Sequence, residues 1–321
     1  MDHEPLFLTF RNLTPLQTHW KLNYKYFIAL LLLANSVLGC KSYTRIGSVR
    51  NNVCKSLEKK TILYAVFVDS DETHPWTEYD INSTLDSIQV SIDWLHQQAA
   101  LHRKSLEIKL EYAINASKDS VIPFKEDFQF KTLSGSLFKY SDLTKGIDLV
   151  DKWSDAVSKD VARTLPDDTS DVILSKNRSN NRERLIAKLR NKYKTDNVAL
   201  IFFINNYFEN EVSVAFHTSS GTETEFAVVS NKQPAVIAHE FLHLFGAWDL
   251  YLSPFDRSVF AKFRKRKAMK RYPNEIMAFA HRDIDSLNIS PLTKYLIGWD
   301  NKLEDGEGKM FIKRRWKLLE Y

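Results

Sequence analysis

The stretch His239 to Asp249 reads HEFLHLFGAWD and carries side chains able to hold and use a metal ion. His239 and His243 stand four residues apart, so on a helix both imidazoles lie on one face and can point at one ion. Two neutral imidazoles suit a borderline metal such as zinc. Glu240 follows the first histidine directly. From there a carboxylate can reach a metal-bound water, take its proton and later deliver it to a leaving amine. Bound zinc lowers the pKa of that water from about 15.7 towards ~7, so a hydroxide nucleophile exists at neutral pH.

Two histidines do not complete such a centre, because a catalytic zinc takes three protein ligands and leaves a further position to water. Gly246 follows three residues after His243, and Asp249 three after that. Glycine enters the left-handed region without strain and ends helices. A chain that turns at Gly246 can therefore bring Asp249 back to the ion. The full pattern is H-E-x-x-H-x-x-G-x-x-D. A chance H-E-x-x-H in a chain of this length is on the order of one per cent, and the added Gly and Asp lower that roughly a hundredfold. A purely structural helix would also have to bury Glu240 without a partner, which is costly.

The stretch resembles the extended zinc motif of the metzincin metallopeptidases. Most metzincins place a third histidine where this chain has Asp249; in that respect it is similar to the snapalysin-like members. The resemblance implies one catalytic Zn²⁺ held by His239, His243 and Asp249, with Glu240 as general base and acid in the hydrolysis of peptide or protein substrates. It also implies an α/β (α+β) zincin fold: a twisted mixed sheet packed on the zinc helix, then a Met-turn and a C-terminal helix. A fitting methionine is present. The run YPNEIMAF places Met277 twenty-eight residues beyond Asp249. Some metzincins carry a tyrosine two residues after that methionine; here the position is Phe279, which excludes a phenol from that site. In architecture the resemblance spans Thr61 to Trp299, in motif only His239–Asp249 and the region of Met277. Metzincins pair an extended peptide with an edge strand before the zinc helix; Glu211–Phe216 and Thr224–Val229 are the two candidates.

The elements that must position these residues are legible in part. Thr61–Val68 and Asn197–Asn205 are continuous apolar runs rich in β-branched and aromatic residues, as buried strands are. Leu85, Ile88, Ile92, Leu95 and Ala99 recur at helical spacing over Ile81–His102. Leu106–Tyr112 alternates as a half-exposed strand, and Val121–Phe130 reads as a strand or loop. Helices are expected over Leu143–Thr164, with Trp153, Val157 and Val161 on one face, and from Asn181 to Lys194 as a solvated basic helix. The zinc helix is expected over Asn231–Phe245, capped by Asn231, with Pro234 in its first turn. Ser219-Ser220-Gly221 reads as a turn. Arg257–Arg271 is densely basic, either a solvated helix or an attractor of acidic substrates or lipid headgroups. Ser290 caps a last helix through Ile297.

The N-terminus points to an envelope. Lys21 and Lys25 precede the apolar run Tyr26–Ala34, which is too short to span a bilayer comfortably, and Val37-Leu38-Gly39-Cys40 follows. This resembles a bacterial lipoprotein signal with lipidation at Cys40. It implies a lipid anchor at a bacterial cell envelope and, with Lys41 rather than aspartate next, the outer membrane if the cell is Gram-negative; the alternatives are an uncleaved signal anchor or an ordinary secretory signal that releases the protein. The expected organisation is a signal with N-terminal extension over 1–39, a tether over 40–60 and a catalytic domain over 61–321. Cys54 would then stay unpaired. The composition, 44% hydrophobic and 26% charged, is that of a globular protein. A net charge of +5, without a basic-aromatic RNA motif or Gly-rich phosphate loop, gives no support to a nucleic-acid partner.

Three alternatives accompany this reading. Glu275 could replace Asp249 as third ligand, although Phe279 stands where an E-x-x-x-D pattern needs aspartate. The chain could be a binding lipoprotein that keeps the fold without catalysis, against which the intact Glu240 argues. Or the bond cleaved could be a non-peptide amide.

Overall fold

The computed structural model describes residues 56–69, 75–115, 139–166, 180–205, 213–216, 225–230, 232–252 and 259–303. Cys40, Cys54, the apolar N-terminal run, the 121–130 stretch and the 219–221 turn lie outside the described residues. Among those described, no helix is long and apolar enough to cross a membrane.

The architecture is mixed α/β. Strand β1 (Lys59–Val68) is followed by α1 (Glu78–Leu101), β2 (Leu106–Asn115), α2 (Lys139–Arg163), α3 (Asn181–Tyr193), β3 (Asn197–Ile204), β4 (Ser213–Phe216) and β5 (Phe226–Val229). Then come the helices α4 (Pro234–His243), α5 (Val259–Arg271) and α6 (Ile276–Phe279), a 3₁₀ turn (Ile284–Ser286) and α7 (Pro291–Leu296). The five strands form one sheet in the order β2-β1-β3-β5-β4. β1 pairs in parallel with both β2 and β3, and β3 with β5; only β4 runs antiparallel, against β5. The register sets Thr61 beside Asn197 and Ile201 beside Ala227.

Hydrophobic pattern explains the order. All eight residues of β3 are buried, and so is β1 from Thr61 to Val68. Strands covered on both faces need no polar face, hence their continuous apolar runs. β2, with a single strand neighbour in the described sheet, is covered only in part: Ile108 is buried, while Tyr112 and Ile114, further along the same face, are exposed. Phe67, Phe203, Phe202 and Phe226 join the strands through ring contacts at 5.5–5.8 Å.

Two expectations need correction. The stretch 56–60 belongs to the folded body rather than to a tether. Leu57 is buried, its N–H donates to the Ile297 carbonyl, and the buried Trp299 indole donates to the Leu57 carbonyl. Lys59 and Lys60 already lie in β1. The α3 helix, read as solvated, buries Arg182 and Lys188. Arg182 donates to the Asp151 carbonyl and the Ser154 hydroxyl, pairs with the Asp151 carboxylate at 2.5 Å, and lies 4.6 Å from the Phe226 ring centroid. An arginine is expensive to bury alone but not when its fork is occupied on one side and stacked on the other. Asp155 of α2 accepts from the backbone N–H groups of Asn181 and Arg182 at the start of α3, so the two helices are fixed end to side.

Helix α1 begins at Thr77, whose hydroxyl accepts from the Asp80 N–H. Its buried face includes Ile88, Ser91, Ile92, Leu95 and Gln98. Ser91 donates to the Pro234 carbonyl at 2.8 Å. A small polar residue here lets α4 come close and satisfies a carbonyl of its first turn.

Candidate metal centre

Helix α4 is apolar nearly all round. Eight of its ten residues are buried, among them His239, Glu240 and His243. Such a helix is a core helix, so its polar side chains must be compensated inside the protein. Pro234 occupies the first turn as expected. The N-cap is Gln233, which makes no side-chain capping bond, rather than Asn231, which lies outside the described residues. The α-helix stops at His243, shorter than the expected Phe245.

The end of α4 is a Schellman closure. Gly246 N–H donates to the His243 carbonyl at 2.8 Å, and Ala247 N–H to the Leu242 carbonyl at 3.2 Å. Gly246 takes φ +93°, where side-chain-bearing residues are strained. The turn does two things. It reverses the chain, so that Asp249 returns to the histidines. It also aims the Ala247 carbonyl at His243, whose Nδ1 lies 2.9 Å away.

His239 is held in the same manner, its Nδ1 3.2 Å from the carbonyl of Ile276 in α6. With each Nδ1–H donating to a carbonyl, both Nε2 atoms present lone pairs inward. These two atoms are 3.1 Å apart, and the Asp249 Oδ1 lies 3.0 Å from His243 Nε2 and 3.2 Å from His239 Nε2. Three acceptors thus converge in a nearly equilateral triangle. Three acceptors so placed repel one another unless a cation sits among them. Ligand bonds of ~2.0–2.1 Å in a tetrahedron give ligand separations of roughly 3.3 Å, close to the spacing found. His239, His243 and Asp249 can hold a metal ion. The side chain of Asp249 keeps 33% exposure, against 5% for His239, so the group is reachable from the aspartate side.

Charge follows geometry. Burial alone would raise the Asp249 carboxyl, but with no ion bound, imidazoles that carry a proton on Nε2 would donate to it, and His243 and His239 then hold it well below the usual carboxylate range. Glu240 behaves in the opposite way. Burial pushes its carboxyl up to about 8; the negative Asp249 adds to this and His243 opposes it. Its Oε2 has no hydrogen-bond partner among the described residues.

The segment around Met277 is tied to the same group by its backbone. The Met277 carbonyl accepts from Leu250 N–H at 2.9 Å, which pins the chain just after Asp249. Met277 itself is fully buried. Glu275 does not join the ligand cluster. It is wholly buried and accepts from Met277 N–H, the Thr293 hydroxyl at 2.9 Å and Ser290 N–H. Its backbone bridges to Asn288. Glu275 therefore anchors α6 to the 288–293 segment, which removes the ground for making it a metal ligand.

One residue near the ligands escaped the reading of the sequence. The Tyr251 ring lies 6.0 Å from the His239 ring and is 37% exposed. Its position two residues after Asp249 was available as a signal, but meant nothing until the Gly246 turn had brought that segment back to α4. No family model, no curated protein and no solved structure matches this chain.

Proposed function

We propose that this protein is a zinc-dependent endopeptidase of the metzincin type, with zinc on His239, His243 and Asp249. The observation that carries the reading is the convergence of three lone-pair donors, two of them oriented by backbone carbonyls, beside the buried Glu240 carboxylate, whose Oε2 has no hydrogen-bond partner among the described residues. A structural zinc site has no use for that carboxylate; a hydrolytic one needs it.

Zinc when bound would lower the pKa of a coordinated water and polarise the scissile carbonyl. The chain's own residues supply the rest. Glu240, with an affinity for protons raised by its buried setting, accepts the proton of the attacking water and passes it to the departing amine nitrogen. The carbonyls of Ile276 and Ala247 keep both imidazoles in the tautomer that leaves Nε2 bare. Tyr251 offers a phenol on the exposed side of His239, and Phe279 offers none. Support for peptide rather than other amide substrates comes from the motif resemblance. β4 pairs with β5 as the terminal strand of the described sheet, which makes it the better placed of the two candidate strands to add an extended peptide. A lipid at Cys40, holding the enzyme at a bacterial envelope, remains part of this proposal on sequence grounds.

The test is to incubate the zinc-loaded protein with a diverse peptide mixture and read new termini by mass spectrometry, beside a zinc-loaded Glu240→Gln protein. Wild type should cut, and the variant should be slower by at least ~10²-fold. Equal cleavage by both, or none by either with zinc bound, would overturn the reading.

A further inference from the structure

Helix α5 presents a face that the catalytic reading does not use. Val259, Lys262, Phe263, Arg266, Lys267, Lys270 and Arg271 are all exposed, while Ala268 on the other side is buried. The exposed positions recur at three and four, so they form one stripe along the helix. The helix sequence, VFAKFRKRKAMKR, contains no acidic residue. Lys262, Arg266, Lys267 and Lys270 make no ion pair among the described residues. At the start of the same stripe Val259 is 79% and Phe263 64% exposed. A phenylalanine and a valine thus stand in water beside those four cations, which have no acidic partner among the described residues.

We propose that this stripe is a docking surface for an anionic lipid bilayer, with the four cations on phosphate-bearing headgroups and Phe263 and Val259 in the acyl boundary. Charge complementarity selects the headgroups. The apolar pair selects a bilayer over a dissolved acidic peptide, because a peptide would answer the charges and leave Phe263 wet. Each cation near an anionic surface is worth roughly fivefold in partitioning, and the attraction acts over about 10 Å, so cations along one helix add together. Helix α5 also lies near the candidate metal centre. Lys265 of α5 sits 5.9 Å from the Tyr251 ring, which itself flanks His239. Docking through α5 would hold the centre close to the membrane surface. The surface is independent of catalysis and of any acyl chain at Cys40.

The experiment uses the full chain with Cys40→Ser, which bars acylation, Cys54→Ser, and an environment-sensitive dye on a Val259→Cys substitution. Because the dye reports α5 alone, insertion of the N-terminal apolar run does not register. Vesicles of phosphatidylglycerol should raise and blue-shift the emission at low salt, and vesicles of phosphatidylcholine should not. Replacing Lys262, Arg266, Lys267 and Lys270 together by Ser should weaken the response by at least a hundredfold in lipid concentration. Phe263→Ser should weaken it about tenfold while leaving its salt dependence. No preference for the anionic vesicles, or a response that survives loss of the four cations, would overturn the proposal. So would a dye response to a soluble poly-glutamate peptide equal to that with the anionic vesicles.

Discussion

At the residue scale, the candidate metal centre is oriented by groups that would not themselves touch an ion. His239 and His243 point correctly because the Ile276 and Ala247 carbonyls occupy their Nδ1 atoms. Glu275 stands one step further out, holding the turn that supplies the Ile276 carbonyl. Glu275→Ala would strip partners from the backbone N–H groups of Met277 and Ser290 and from the Thr293 hydroxyl. Each donor left unsatisfied costs about 1–3 kcal/mol. The expected outcome is a loss on the order of 3 kcal/mol in urea unfolding and at least tenfold weaker zinc binding by a residue that is no ligand. Unchanged zinc affinity would show that α6 positions nothing. Tyr251→Phe should keep its zinc and lose on the order of tenfold or more in kcat, measured on a peptide found by the cleavage screen. Little of this shell could be read in the sequence. Glu275 meets Ser290 and Thr293 only through packing, and Arg182 looked like any surface arginine until Asp151, Ser154 and Phe226 closed around it. The histidines, Glu240 and Asp249 were legible because their spacing alone encodes a helix, a turn and a return.

At the element scale, the end of α4 governs where Asp249, the proposed third ligand, stands. A Cβ on Gly246 would lie 3.4 Å from the Leu296 carbonyl oxygen, ordinary contact distance, so space is not the obstacle. The obstacle is φ +93°. Gly246→Ala should therefore cost about 1–2 kcal/mol of backbone strain, or relax the turn and move Asp249. In either case zinc affinity, read by competition with a chelator, should fall more than for Ala247→Gly. The other end of α4 is tethered by Lys232, whose ammonium pairs with Asp80 of α1 at 3.2 Å. The Thr77 hydroxyl first, and Lys232 with it, hold the Asp80 carboxyl below its ordinary value. A depressed carboxylate contributes stability above its unfolded pKa of about 3.9 and loses it as pH falls through the lower folded value. Wild type should thus be the more stable by up to ~1 kcal/mol at pH 6, and Asp80→Asn should close that gap below about pH 3 in thermal melts. A gap that widens in acid would contradict this assignment. Strands β1 and β3 were plain from their apolar runs, since only doubly covered strands dispense with polar residues. The order β2-β1-β3-β5-β4 was not, because parallel pairing joins segments far apart in the chain, Thr61 with Asn197 most of all, and leaves no local trace.

At the scale of the whole molecule, two histidines and a glutamate buried in α4 are a cost that the proposed zinc would offset. Binding to the folded state alone stabilises by about 4 kcal/mol when free zinc exceeds Kd a thousandfold. For a domain of this size each kcal/mol is worth about 2–4 °C, so zinc should raise Tm by roughly 10 °C and a chelator should reverse it. The same melts on His243→Ala protein should show no zinc response. Magnesium, a hard ion that prefers six oxygen ligands, should do little at this site of two nitrogens and one carboxylate.

The most direct test of the central claim is the zinc content of three proteins purified side by side after dialysis against buffered zinc: wild type, Glu240→Gln and Asp249→Ala. Asp249 as third ligand and Glu240 as base predict one equivalent in wild type, one in Glu240→Gln and almost none in Asp249→Ala. A full equivalent retained by Asp249→Ala, or no zinc in wild type, would contradict the account at its foundation.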